Sequence, residues 1–147
     1  MKYPRIWIAV HGGPLKAARH PDASSVVLAI LARSGDYGVQ AEVALHLNTP
    51  VEILGELSEG TGYQAELDLN LAGNPHTPAT GLRKVYGRRK RQGWGLTIPW
   101  EEAWALAENP NTPVDILKAL VEDNYPEEVW ESLHKRVQEN IERRGRR

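Results

Sequence analysis

Six cations stand between residues 83 and 91, as Arg83, Lys84, Arg88, Arg89, Lys90 and Arg91, a third of the 18 lysines and arginines in the chain. Tyr86 lies among them, and Trp94 follows, bracketed by Gly93 and Gly95. Cations beside flat aromatic rings suit phosphate contact with base stacking. They equally suit docking on an acidic protein surface, with one ring as the desolvated anchor. A bland reading stands beside both: a solvated loop extending a helix, with Trp94 folded back onto the body of the protein. On the two binding readings, the partner-binding residues are Arg83, Lys84, Arg88, Arg89, Lys90, Arg91 and Trp94. Their charges are then exposed and contribute little to folding.

The search for catalytic chemistry returns less. His11-Gly12-Gly13 has the look of an oxyanion loop, but the chain has no Gly-x-Ser-x-Gly nucleophile elbow to go with it. It has no phosphate-binding Gly-x-x-x-x-Gly-Lys-Ser/Thr loop and no Gly-x-Gly-x-x-Gly. The absence of cysteine removes disulfides, thiolate metal sites, iron–sulfur clusters and cysteine nucleophiles together. His20 and His46 share a slot that Asn74 and Asn109 fill further along, and no His-x-x-x-His or Glu-x-x-His pair accompanies them. A slot shared by His and Asn asks for a hydrogen-bonding turn residue rather than a metal ligand. The neighbouring pairs Glu101-Glu102 and Glu127-Glu128 fall at expected helix N-termini, where they complement the helix dipole. No catalytic residue, metal or cofactor is expected, and the chain reads as a non-enzyme.

That shared slot belongs to a repeat. Ala44-Leu45-His46-Leu47-Asn48-Thr49-Pro50-Val51-Glu52-Ile53-Leu54 aligns with Ala107-Glu108-Asn109-Pro110-Asn111-Thr112-Pro113-Val114-Asp115-Ile116-Leu117. Further copies start at Ala72 and Ala18, so the anchor alanines are 18, 44, 72 and 107. Apolar residues three and seven positions before the anchors, such as Trp100 and Trp104, fall on one face of a first helix. Leu28/Leu31, Leu54/Leu57, Leu82/Val85 and Leu117/Leu120 repeat at i, i+3 on a second. Between the two helices, Thr49-Pro50, Thr77-Pro78 and Thr112-Pro113 predict a threonine N-cap followed by proline at the first helical position. Gly35, Gly38, Gly60, Gly62 and Gly87 are expected in the turns between units. The last spacing is the longest, and the basic segment lies in its extra length, where a repeat protein puts loops on a binding face.

The run Ala-x-Asn-Pro-x-Thr-Pro-x-x-Ile-Leu-x-x-Leu, clearest at Ala107 to Leu120, resembles the variant leucine-rich repeat family over roughly residues 14–125. The resemblance implies short paired helices stacked into a right-handed superhelix akin to HEAT and armadillo solenoids. Some members carry a cysteine-rich iron–sulfur segment, which this cysteine-free chain cannot supply. The first copy departs from the pattern, with Ala23-Ser24 in place of Thr-Pro.

The expected architecture is therefore one all-α domain. Residues 1–13 form an N-terminal cap that includes the short apolar run Ile6 to Val10, strand or helix. Residues 14–125 form about four two-helix repeats, with the basic insertion at 83–99. Residues 126–147 form a capping helix with the stripe Val129, Leu133, Val137 and Ile141, ending in an arginine-rich tail. The 147 residues, 41% hydrophobic and 25% charged, suit a single soluble unit. Only about five apolar residues follow the first cation pair, too few for a signal peptide, and the cytoplasm is the expected location. The net charge of −1 is segregated: five basic and eight acidic residues in 1–80, six basic and none acidic in 81–99, seven basic and eleven acidic in 100–147. Acidic flanks would repel phosphates beyond the basic segment. The expected function is a protein-interaction module or adaptor that docks on a larger assembly through an acidic partner surface. The alternatives are a nucleic-acid-binding protein using residues 83–94, and a regulator or inhibitor of a nucleic-acid enzyme such as a polymerase.

Overall fold

The computed structural model describes residues 3–60, 64–92 and 98–146, with backbone only at 91 and 92. Among these the regular structure is entirely helical: α1 (Pro4–Val10), α2 (Pro14–Arg19), α3 (Ser25–Ala32), α4 (Tyr37–Leu45), α5 (Val51–Ser58), α6 (Ala65–Gly73), α7 (Ala79–Gln92), α8 (Trp100–Glu108), α9 (Val114–Glu122) and α10 (Glu127–Gly145). The ambiguous apolar run at the front is the helix α1, not a strand. Pro4 opens it, where a fixed φ and a missing N–H are harmless. The turn into α2 uses Gly12 and Gly13 at φ +91° and +92°, so the His-Gly-Gly motif is a left-handed connection that glycine alone takes without strain.

The packing is sequential, most helices meeting the helix two places further on. Helices α2, α4, α6, α8 and α10 form one such series, and α3, α5 and α7 form another. The anchor alanines Ala18, Ala44, Ala72 and Ala107 are at most 1% exposed, and their small side chains let successive first helices approach closely. The leucine pairs of the second helices, with Val85, are all buried, each worth about 1.5–3 kcal/mol in apolar surface removed from water. Two core clusters result, one running from Ile8 to Val85 and the other from Ala72 to Val137. They meet where α6 packs on α7, since Leu71 lies in one and Ala72 in the other.

The threonines do something other than cap. Proline, not threonine, is the N-cap of α5 and α9 (Pro50 and Pro113), and neither helix has a side-chain cap. The hydroxyls of Thr49, Thr77 and Thr112 point backwards and donate to the carbonyls of Val43, Leu71 and Leu106 at 2.6, 2.7 and 2.6 Å. Thr77 and Thr112 thereby satisfy orphan acceptors at the end of the preceding helix, and Thr49 adds a second bond to the Val43 carbonyl, which the His46 amide also reaches. In the unit that departs from Thr-Pro, the second helix has a side-chain cap that α5 and α9 lack, for Ser24 Oγ accepts from the Val27 amide at 3.3 Å. Ser24 occupies the register of the prolines, which places the cap one residue later than Thr-Pro suggests. Two of the expected turn glycines are helical, Gly38 in α4 and Gly87 in α7; Gly62 lies outside the described residues.

Candidate functional site

The basic segment is not a loop over its described length. From Ala79 to Gln92 it continues α7 as one helix. The reason lies in the buried stripe of that helix: Arg88 is three residues beyond Val85, and Arg89 is seven beyond Leu82. Two arginines thus extend the apolar face into the protein interior, where Arg88 and Arg89 are 5% and 6% exposed. Isolated charges cannot sit there, and each has a carboxylate. Arg88 makes a forked pair with Asp68 of α6, at 3.2 Å from Nε and 2.6 Å from Nη2. Its remaining nitrogen, Nη1, donates to the Ser58 and Gly60 carbonyls at 3.0 and 2.6 Å, capping the end of α5. Arg89 Nε meets Glu102 of α8 at 2.7 Å. Arg88 therefore ties α7 to the end of α5 and to α6, and Arg89 ties α7 to α8.

The expected exposure of Arg88 and Arg89 is thereby corrected: both are buried and paired. The other described cations stay nearer the surface but are also matched. Arg83 forks onto Asp115 of α9 at 2.7 and 3.0 Å, Lys84 pairs with Glu59, and Lys90 with Asp123. Arg83 and Lys84 also line a cleft of about 670 Å³ together with Ser58, Gly60 and Thr80. The Arg91 side chain and Trp94 lie outside the described residues, as does Arg147.

Burial shapes the electrostatics around this helix. The carboxyl of Glu102 is raised above its usual value, because desolvation of the charged form outweighs the nearby Arg89 guanidinium. The exposed Asp115 shifts the other way, held low by its hydrogen bonds from Arg83. Tyr125 donates to the Ile98 carbonyl at 2.9 Å, and burial together with Asp123 pushes its phenol well upwards. Tyr86 is raised by burial and by Asp123, Asp115 and Glu122.

The His/Asn slot builds a ladder that crosses every unit. His46 Nε2 donates to the His20 carbonyl at 2.9 Å, which fixes the tautomer, and Nδ1 accepts from the Asn48 amide at 3.1 Å. Asn74 Nδ2 donates to the Ala44 and His46 carbonyls (2.7 and 3.3 Å), and its Oδ1 accepts from the His76 amide. Asn109 repeats this one unit on, with donor bonds to Ala72 and Asn74 and an acceptor bond to the Asn111 amide. The last rung was not legible as such: Asn140 of α10 donates to the Ala107 and Asn109 carbonyls at 2.7 and 2.9 Å. Since α10 does not turn there, Arg144 Nε takes the place of the turn amide on Asn140 Oδ1 at 2.8 Å. The signal for Asn140 is its position three after Val137 and seven after Leu133, a polar residue on the buried stripe. These histidines have structural partners, and among the described residues no group of three or more His, Asp or Glu side chains gathers as a metal site.

Leu45 and Leu47 are 59% and 61% exposed and line a groove of about 380 Å³ with Ala18, Arg19, Pro21 and Glu42. No described helix is long and apolar enough to cross a membrane. Comparison with protein-family models, with curated proteins and with solved structures finds no match.

Proposed function

We propose that the chain is a right-handed α-solenoid of about four short two-helix repeats, of the variant leucine-rich repeat kind. On this reading it works without catalysis, as a protein-interaction module or adaptor that docks on a larger assembly. The observation that carries the proposal is the pair Leu45 and Leu47. The register of Leu45 is filled elsewhere by Arg19, Gly73 and Glu108, and that of Leu47 by Pro21, Pro75 and Pro110. The fold thus has no need of leucine at either place, yet both side chains stand in water over a groove, an arrangement suited to holding the apolar side chains of another protein. The nucleic-acid readings draw on the basic segment and gain less support, because its five described side-chain cations already face carboxylates of the same chain.

The test is affinity capture from native lysate with the parent chain and with Leu45→Ser/Leu47→Ser, each with and without nuclease. Specific partners that survive nuclease and are lost with the leucines support the reading. Partners lost to nuclease but kept by the double variant overturn it in favour of nucleic acid.

A further inference from the structure

We propose that the outward face of α1 receives an acidic amphipathic helix of a partner protein, which takes the next place in the helix stack. Ile6 and Val10 are 60% and 74% exposed and, four residues apart, lie on one side of α1, while Tyr3, 60% exposed, immediately precedes the helix. The opposite side is occupied: Ile8 is buried, and Trp7 stacks on His11 at 3.9 Å and meets His20 edge-on at 5.3 Å. Helix α1 packs against α2 and α3, so its apolar stripe faces away from the body. The other end of the stack is finished differently, since α10 turns Glu128, Glu131, Lys135 and Glu139 to water. A helix face of a repeat stack that is left to water is polar, whereas this face of α1 is apolar.

Charge decides the occupant. From Tyr3 to Pro21 the chain has Arg5, Lys16 and Arg19 and no carboxylate. Arg19 is paired with Glu42, whereas Arg5 and Lys16 are exposed and have no ion-pair partner among the described residues. A second copy docked α1 to α1 would bring Arg5 and Lys16 against themselves, and like charges across an interface are costly. A lipid surface is a poorer fit, because membrane affinity scales with buried apolar area and this helix of seven residues offers only Ile6 and Val10, with Tyr3 ahead of it. The geometry is that of a helix neighbour, for α2, α4, α6 and α8 each pack against the next helix of their series. The inference extends the protein-interaction reading to a second surface, independent of the Leu45–Leu47 groove.

The isotope-labelled full chain is titrated with a synthetic helical peptide bearing leucines at i, i+3, i+7 flanked by glutamates, with its lysine counterpart, and with phosphatidylserine vesicles. The glutamate peptide should perturb amide signals of α1 and of Lys16, and the lysine peptide should bind at least about tenfold more weakly. Ile6→Glu/Val10→Glu should abolish binding with the melting temperature unchanged, both side chains being exposed, and Arg5→Glu/Lys16→Glu should reverse the peptide preference. Leu45→Ser/Leu47→Ser should leave this binding intact even though it disables the groove. Equal affinity for both peptides, perturbations that map away from α1, vesicle binding without peptide binding, or self-association through α1 in light scattering would each overturn the proposal.

Discussion

Asn109 Nδ2 stands 2.7 Å from the carbonyl oxygen of Ala72, a residue of the preceding unit, with both groups buried. The same bond joins Asn74 to Ala44 and Asn140 to Ala107. One amide thus satisfies a helix-end carbonyl of its neighbour and, through Oδ1, the turn of its own unit. The bond to the neighbouring carbonyl is buried, which is why a polar side chain is kept at the seam between apolar helices.

Replacing Asn109 with Ala should therefore cost about 1–3 kcal/mol, since it strands the Ala72 carbonyl and removes the acceptor of the Asn111 amide. Equilibrium urea denaturation measures it. Asn109→Asp should be worse than Asn109→Ala, because a carboxylate has no N–H to donate and would face two carbonyl oxygens.

The threonines give a sharper test, because an N-cap and a backward donor respond differently to isosteric change. Thr112→Val keeps the shape and removes the hydroxyl that reaches the Leu106 carbonyl, so a loss of about 1–3 kcal/mol is expected. Thr112→Ser should recover most of it. Were threonine a cap, Thr112→Asp would be well tolerated. Here it should be as damaging as valine, since it puts an acceptor against an acceptor.

Alkaline stability should report on Tyr125. In the unfolded chain its phenol ionises near the ordinary value of 10.0, whereas in the folded chain burial holds it protonated to higher pH. The unfolded state then releases the proton first, and stability falls as pH rises above about 10. Ultraviolet titration of phenolate should show Tyr125 ionising above the ordinary tyrosine range, and Tyr86 displaced in the same direction. Tyr125→Phe should flatten this part of the pH dependence while losing the bond to Ile98.

Much of the helical framework was legible because repeats advertise it: the anchor alanines and the leucine pairs are buried where their spacing puts them. The cap was misplaced by one residue because a Thr-Pro pair fits two registers, and only the backward reach of the hydroxyl distinguishes them. The candidate site was less legible for another reason. A run of six cations reads as solvent-exposed unless the helix period of Leu82 and Val85 is carried on into it, and the partners Asp68 and Glu102 lie 20 and 13 residues away in sequence. Long-range charge pairing leaves no local pattern.

That pairing makes the cations of α7 separable by experiment. Arg88→Met leaves Asp68 buried without its partner and uncaps the end of α5, so a loss of about 3–5 kcal/mol is expected. Adding Asp68→Leu should restore much of it, because an apolar pair of similar volume is often as stable as a buried ion pair. Arg89→Met should behave alike toward Glu102, with one difference. The Glu102 carboxyl is already raised by burial, and without Arg89 it rises further. Its charge opposes folding most above that raised value, so Arg89→Met should be milder at acidic pH than at neutral pH, and Glu102→Gln in the same chain should remove the difference. Arg83→Ser and Lys84→Ser, at exposed pairs, should leave the denaturation midpoint where it was. If Arg88→Met and Arg89→Met unfold no more readily than Arg83→Ser, the two arginines are not holding the units together. The basic stretch would then have to be read again as a surface kept for a partner.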